Sequence, residues 1–88
     1  MRINSKYKVR QVANENVVLV QGRTPGDMTT VIALNETALY LWNELYDSDF
    51  TKESVVNLLT SRFDVDAETA GADADKWIAE LQKHNIIV

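Results

Sequence analysis

Residues 28–46 read MTTVIALNETALYLWNELY, and the spacing of their apolar side chains changes at Leu34. Ahead of it, Thr29, Thr30, Val31 and Ile32 form a β-branched run that suits a pleated strand. Beyond it, Ala38, Leu39, Leu41, Trp42, Leu45 and Tyr46 recur at helical spacing, with Asn43 and Glu44 on the opposite side. The switch carries its own punctuation. Asn35 is a favourable N-cap, because its short side chain can accept from an orphan amide of the first turn. Glu36 complements the positive helix end, and Leu34 can staple onto Leu39. Strands therefore precede this point and helices follow it.

Toward the start of the chain, Tyr7 to Val12 and Val17 to Gln21 are two further β-prone runs, separated by the turn residues Asn14, Glu15 and Asn16. The segment Gly22 to Asp27, with Pro25 and Gly26, breaks the pattern before Met28 to Leu34 resumes it. The simplest closure is a three-stranded antiparallel meander with Val17 to Gln21 in the middle, which makes Met28 to Leu34 an edge. From Met28 to Asn35 that edge has neither charge nor proline, the features that normally blunt an edge. It is either covered by the protein's own helices or C-terminus, or offered to a peptide that adds a strand.

Toward the end of the chain, Thr51 caps a second helix with Phe50 set to staple onto Val55. Its apolar face is Val55, Val56, Leu59 and Phe63, and it ends near Asp64. A third helix is predicted from Asp66 to His84, lined by Ala67, Ala70, Ala74, Trp77, Ile78 and Leu81. Gly71 predicts fraying or a bend before Ala72, since glycine costs about 1 kcal/mol relative to alanine inside a helix. Lys83 and His84 complement the negative helix end, Asn85 tolerates a left-handed cap, and Ile86 can fold back onto Leu81. Ile86 to Val88 are expected to pack onto the core.

With 88 residues, 45% hydrophobic and 25% charged, the chain fits one ordinary core, so residues 1–88 are read as a single soluble domain. No stretch reaches the roughly 18 continuous apolar residues of a membrane span, and Met1 to Lys8 lacks the apolar block of a secretion signal. A cytoplasmic protein without membrane contact is expected. The absence of cysteine excludes disulfides, thiolate nucleophiles and thiolate metal sites together. The net charge of −4 disfavours nucleic acid. Its distribution is uneven: up to Arg23 the chain has Arg2, Lys6, Lys8, Arg10 and Arg23 against Glu15, and acidic residues dominate the remainder. Charge complementarity between the strand and helix layers is the simplest expectation from this split.

Catalytic constellations are lacking. A nucleophile-and-base pair needs a histidine or an equivalent base, and the one histidine, His84, lies in the last helical turn, where it reads as a helix-end residue. Asp64, Asp66 and Glu68 have the alternate spacing that opens a calcium loop, but the glycine and distant glutamate of such a loop are missing, which leaves a solvated turn and N-cap. Gly22 and Gly26 belong to no phosphate-binding motif. No enzyme activity, metal or cofactor is expected. Trp42 and Trp77 both fall on apolar helix faces, yet the small alanines around Trp77 leave room for a groove beside it.

The residues Leu34, Asn35, Glu36, Thr37, Ala38, Leu41, Trp42, Leu45, Asp47 and Thr51 resemble the "LN.TA..IW.L.D...T" pattern of PqqD-like proteins, named for coenzyme pyrroloquinoline quinone (PQQ) biosynthesis. Trp77, Ile78, Leu81, Ile86, Ile87 and Val88 resemble that family's closing "FL..L....LV" segment. Asn85 stands where many relatives have glycine, and Asp47 with Ser48 replaces a common Asp-Gly turn. The resemblance implies an α+β, winged-helix-like domain, with an N-terminal three-stranded antiparallel sheet followed by three helices. It also implies a role: a peptide chaperone, or recognition element, that binds the leader of a ribosomally made precursor peptide by strand addition. The leader is then presented to a modifying enzyme, often of the radical S-adenosylmethionine type. Carried over to this chain, the peptide lies along Thr29, Thr30, Val31, Ile32 and Ala33 and beside Asp73, Lys76, Trp77 and Glu80. Pairing of the same edge with a second copy gives a homodimer. The rivals are a winged-helix nucleic-acid binder and a structural docking subunit; against the former, Asp66 to His84 holds five acidic residues and only Lys76 and Lys83 as cations.

Overall fold

The computed structural model describes residues 1–20 and 30–88. The Gly22 to Asp27 connection, Gln21 at the end of the second predicted strand, and Met28 and Thr29 at the start of the third lie outside the described residues. Three strands, β1 (Val9–Val12), β2 (Glu15–Val20) and β3 (Thr30–Leu34), form an antiparallel sheet in the order β1-β2-β3. Three helices follow: α1 (Glu36–Leu45), α2 (Lys52–Arg62) and α3 (Ala67–Lys83). The fold is α+β, with strands first and helices after.

The β1–β2 turn is tighter than Asn14 to Asn16 would make it. Val12 pairs directly with Glu15, so Ala13 and Asn14 alone close the hairpin, at φ of 51° and 68°. A two-residue turn with both residues left-handed matches the right-handed twist of the strands it joins. Asparagine tolerates that backbone and alanine does not favour it, so the sequence concealed the turn by placing Ala13 in it. Glu15 and Asn16 instead open β2.

Strand register sorts the side chains. Val9, Val18 and Ile32 share a row across the sheet and face the helices, where Val18 is fully buried. Arg10, Val17 and Ala33 share the adjacent row on the opposite face. Val18 belongs to one core cluster with Leu41, Trp42 and Leu45 of α1, Val55 and Leu59 of α2, and Ala70, Ala74, Ile78 and Leu81 of α3, with Phe50. The caps hold as their chemistry dictates: Asn35 Oδ1 accepts from the Ala38 amide at 2.8 Å, and Thr51 with Ser54 forms a reciprocal capping box.

Helix α3 runs unbroken from Ala67 to Lys83, which corrects the expected bend at Gly71. Ala70 and Ala74 on either side of the glycine are fully buried, and the packing they provide outweighs a local propensity cost of about 1 kcal/mol. The helix ends as a Schellman motif. Asn85 is left-handed at φ 59°, its amide donates to Gln82 O at 3.0 Å, and the Ile86 amide donates to Leu81 O at 2.9 Å. Ile86 and Ile87 are buried, whereas Val88 is 69% exposed and does not join the core. Residues 86–88 pair with residues 2–4: Arg2 and Val88 exchange two 2.9 Å backbone hydrogen bonds around the Ile3–Ile87 bridge. The C-terminal residues therefore do not cover the edge of β3.

Candidate functional site

The tight hairpin determines which backbone groups β3 presents outward. A two-residue turn makes Val12 and Glu15 a hydrogen-bonded pair, and alternation makes Arg10 and Val17 the next such pair. On β2, the groups of Asn16, Val18 and Val20 then point the other way, toward β3, where they meet Leu34, Ile32 and Thr30. By the same alternation the amides and carbonyls of Val31 and Ala33 point away from β2. No strand pairs with that side of β3 among the described residues. Both residues are exposed, Val31 to 57%.

Helix α3 supplies the other candidate surface. A groove of about 240 Å³ lies between the start of α1, Leu59 of α2 and one side of α3, lined by Asn35, Thr37, Ala38, Leu41, Asp73, Lys76 and Trp77. Its floor is apolar and its α3 wall carries one carboxylate and one ammonium. A second depression, lined by Ala33, Leu34 and the turn residues Asn14 to Asn16, shares Asn35 and Ala38 with it. The two hollows thus adjoin across the N-cap of α1, linking the end of β3 to α3.

The expected site residues divide by position. Asp73, Lys76 and Trp77 come together in the groove, where Trp77 is half-buried and packs its ring 6.1 Å from Phe50. The Trp77 indole Nε1 is buried with no hydrogen-bond partner among the described residues. Glu80 lies one turn further along α3, outside the groove lining, with its carboxylate 3.5 Å from His84 Nε2. Thr30 and Ile32 direct their backbone toward β2, and Ile32 packs its side chain on the core. Thr29 lies outside the described residues. Asn35, Ala38 and Leu59 read from the sequence as cap and core rather than as groove residues, and Thr37 only as a position of the family-like pattern. What makes them a wall is the approach of α1 to α3, which no local pattern records.

Other chemistry-bearing residues have structural settings. Trp42 is buried in the core, and His84 is the half-buried C-cap of α3. Asp66 accepts the Thr69 amide at 2.7 Å, and this backbone bond, followed by the Thr69 side chain, holds its carboxyl below the ordinary aspartate range. Among the described residues no cluster of three or more His, Asp or Glu side chains is placed to hold a metal ion, and no helix is long and apolar enough to cross a membrane.

A family model described as coenzyme PQQ synthesis protein D matches residues 7–87 of the 88-residue chain. Among curated proteins and among solved structures nothing matches.

Proposed function

The chain belongs to the coenzyme PQQ synthesis protein D family, and from that premise we propose that it is a non-catalytic peptide chaperone, acting in the cytoplasm, that binds the leader of a ribosomally made precursor peptide. Membership supports an accessory role in PQQ synthesis; leader binding and hand-over to a radical S-adenosylmethionine enzyme are the finer reading. The observation that carries it is the outward-facing backbone of Val31 and Ala33 on an uncharged edge whose end adjoins a groove beside Trp77. An extended peptide entering there gains main-chain hydrogen bonds from β3, and its side chains fill the apolar floor of the groove. Asp73 and Lys76, exposed on the groove wall, select by charge.

The test is chemical-shift mapping with the leader of a precursor peptide encoded beside the gene. Perturbations concentrated at Thr30 to Ala33 and at Asp73, Lys76 and Trp77 support the proposal. Titration to millimolar peptide without such shifts rejects it.

A further inference from the structure

The indole of tryptophan carries one polar group, an N–H that can only donate. Shutting such a group away from water without an acceptor costs free energy, which is why few occur in native folds. Among the described residues, Trp77 Nε1 is the one buried side-chain nitrogen or oxygen left in that state. Acceptors stand within a helical turn of it and are not used. Asp73, one turn back on α3 and lining the same groove, takes no hydrogen bond from the ring, and Glu80, one turn on, faces His84 at 3.5 Å. Across the groove, Asn35 Oδ1 is occupied by the Ala38 amide at 2.8 Å. The undescribed residues 21–29 join β3 at Thr30, whereas the groove adjoins the other end of that strand, at Asn35.

Packing does not require the nitrogen. The ring contributes its apolar body, half-buried against the core and 6.1 Å from the Phe50 ring. Phenylalanine fills such a place without a donor, and phenylalanine is what the family-like closing pattern has at this position. The N–H is thus an addition that the scaffold itself leaves unused. It belongs to a residue that lines a groove with Leu41 and Leu59 on its floor, where an acceptor has to come from outside the chain. The χ2 torsion of the ring is soft, so the edge that bears Nε1 can turn toward an arriving group.

We propose that the Trp77 indole donates a hydrogen bond to an uncharged carbonyl oxygen of the guest in this groove, and that this bond helps to set which guests the chain accepts. The inference rests on the leader reading above and goes further, by naming the group that a leader must place beside α3. Asp73 and Lys76 leave the groove wall with no net charge, so burial over the apolar floor decides, and it favours an uncharged oxygen over a carboxylate. A leader can offer that oxygen from its main chain, because strand addition leaves every second residue's groups facing away from β3. It can also offer it from the side chain of an asparagine or glutamine.

The experiment follows the two indole N–H signals of the isotope-labelled full chain during titration with the leader peptide. Loss of one signal in Trp77→Phe assigns it, and Trp42 in the core is the reference. The expected result is a downfield shift of the Trp77 signal on binding, an unmoved Trp42 signal, and a loss of leader affinity of roughly 5- to 150-fold in Trp77→Phe. Replacement of Trp77 by benzothienylalanine, which exchanges the N–H for sulfur at nearly equal size, should cost as much affinity without lowering the melting temperature, since the donor has no partner in the free chain. A leader asparagine or glutamine whose replacement weakens binding to wild type but not to Trp77→Phe identifies a side-chain carbonyl; if no position behaves so, the oxygen is a main-chain one. The same coupling to a leader aspartate or glutamate overturns the uncharged acceptor. Leader binding with an unmoved Trp77 signal, or with affinity undiminished in both Trp77 replacements, overturns the proposal and leaves the leader reading standing. No leader binding by the wild type rejects the leader reading itself, and this inference with it.

Discussion

Replacing Ala33 by proline tests the edge of β3 at the level of a single hydrogen atom. Proline removes one backbone N–H, and alternation from the Ala13–Asn14 turn places the Ala33 amide on the outward side of β3. The sheet itself loses no ladder bond, edge strands accept proline when the missing amide faces outward, and Ile32 already has the extended backbone that precedes a proline. The expected change in folding stability is below about 1 kcal/mol, a shift of a few degrees in a domain of this size. A bound leader fares differently. The guest carbonyl aimed at Ala33 loses its donor inside the interface, which costs about 1–3 kcal/mol, or roughly 5- to 150-fold in affinity. Ile32→Pro is the control: it removes a ladder bond toward β2 and a side chain packed on the core, so it costs at least about 2 kcal/mol of stability. Circular dichroism melts and calorimetric titration with the leader peptide read both effects. An Ala33→Pro chain that folds and binds the leader as tightly as wild type refutes strand addition. Equal destabilisation by the two prolines refutes the assignment of outward amides.

Three further outcomes follow from the same structure. Gly71→Ala should raise stability by about 1 kcal/mol, since a Cβ built there meets nothing within 4 Å and the helix continues through the site; a lowered melting temperature contradicts the continuous helix. Ala13→Gly should stabilise the hairpin by about 1 kcal/mol by relieving a left-handed alanine, and a neutral or destabilising result in urea titrations means that the turn is not the two-residue form. Asp66 has a lowered pKa in the folded state, so its stabilising effect is complete above the unfolded value of about 3.9 and disappears as pH falls through the folded one. Asp66→Asn keeps a capping oxygen without the titration, so its melting temperature should fall less than that of wild type between about pH 5 and pH 3; parallel curves refute the cap as the source.

The scaffold was legible because each boundary has a local chemical cause. Asn35, Thr51 and Asp66 are all N-caps in the structure, and Asn85 is left-handed where the end of the last helix required it. What stayed hidden depended on contacts between distant segments. Gly71 read as a weakness because the burial of Ala70 and Ala74 against the rest of the core is a tertiary fact. Val88 read as core from its hydrophobicity alone, yet its place beside Arg2 leaves its side chain outside. The groove was half legible: Trp77 and its alanine-rich helix pointed to it, while on its other wall Asn35 looked like helix punctuation only and Thr37 stood only in the family-like pattern.

The positions that carry the family pattern and those that would choose a guest are largely different residues. Leu34, Leu41, Trp42, Leu45, Leu81 and Ile86 are buried, and Asn35 and Thr51 are caps. The departure at Asp47 belongs to the same scaffold class. Asp47 is left-handed at φ 64° in a turn closed by the Ser48 amide on Leu45 O at 3.2 Å, so the strain falls on Asp47, and Ser48 can replace glycine without it. Val31, Ala33, Asp73 and Lys76 lie outside the pattern and are exposed. Exchanging Asp73 and Lys76 for residues of opposite charge should therefore re-rank leader peptides by their own charge while the melting temperature hardly moves, because exposed charges away from caps contribute within about 0.5 kcal/mol. The reverse pattern, a large loss of stability with no change in peptide preference, would place these two residues in the scaffold rather than in recognition.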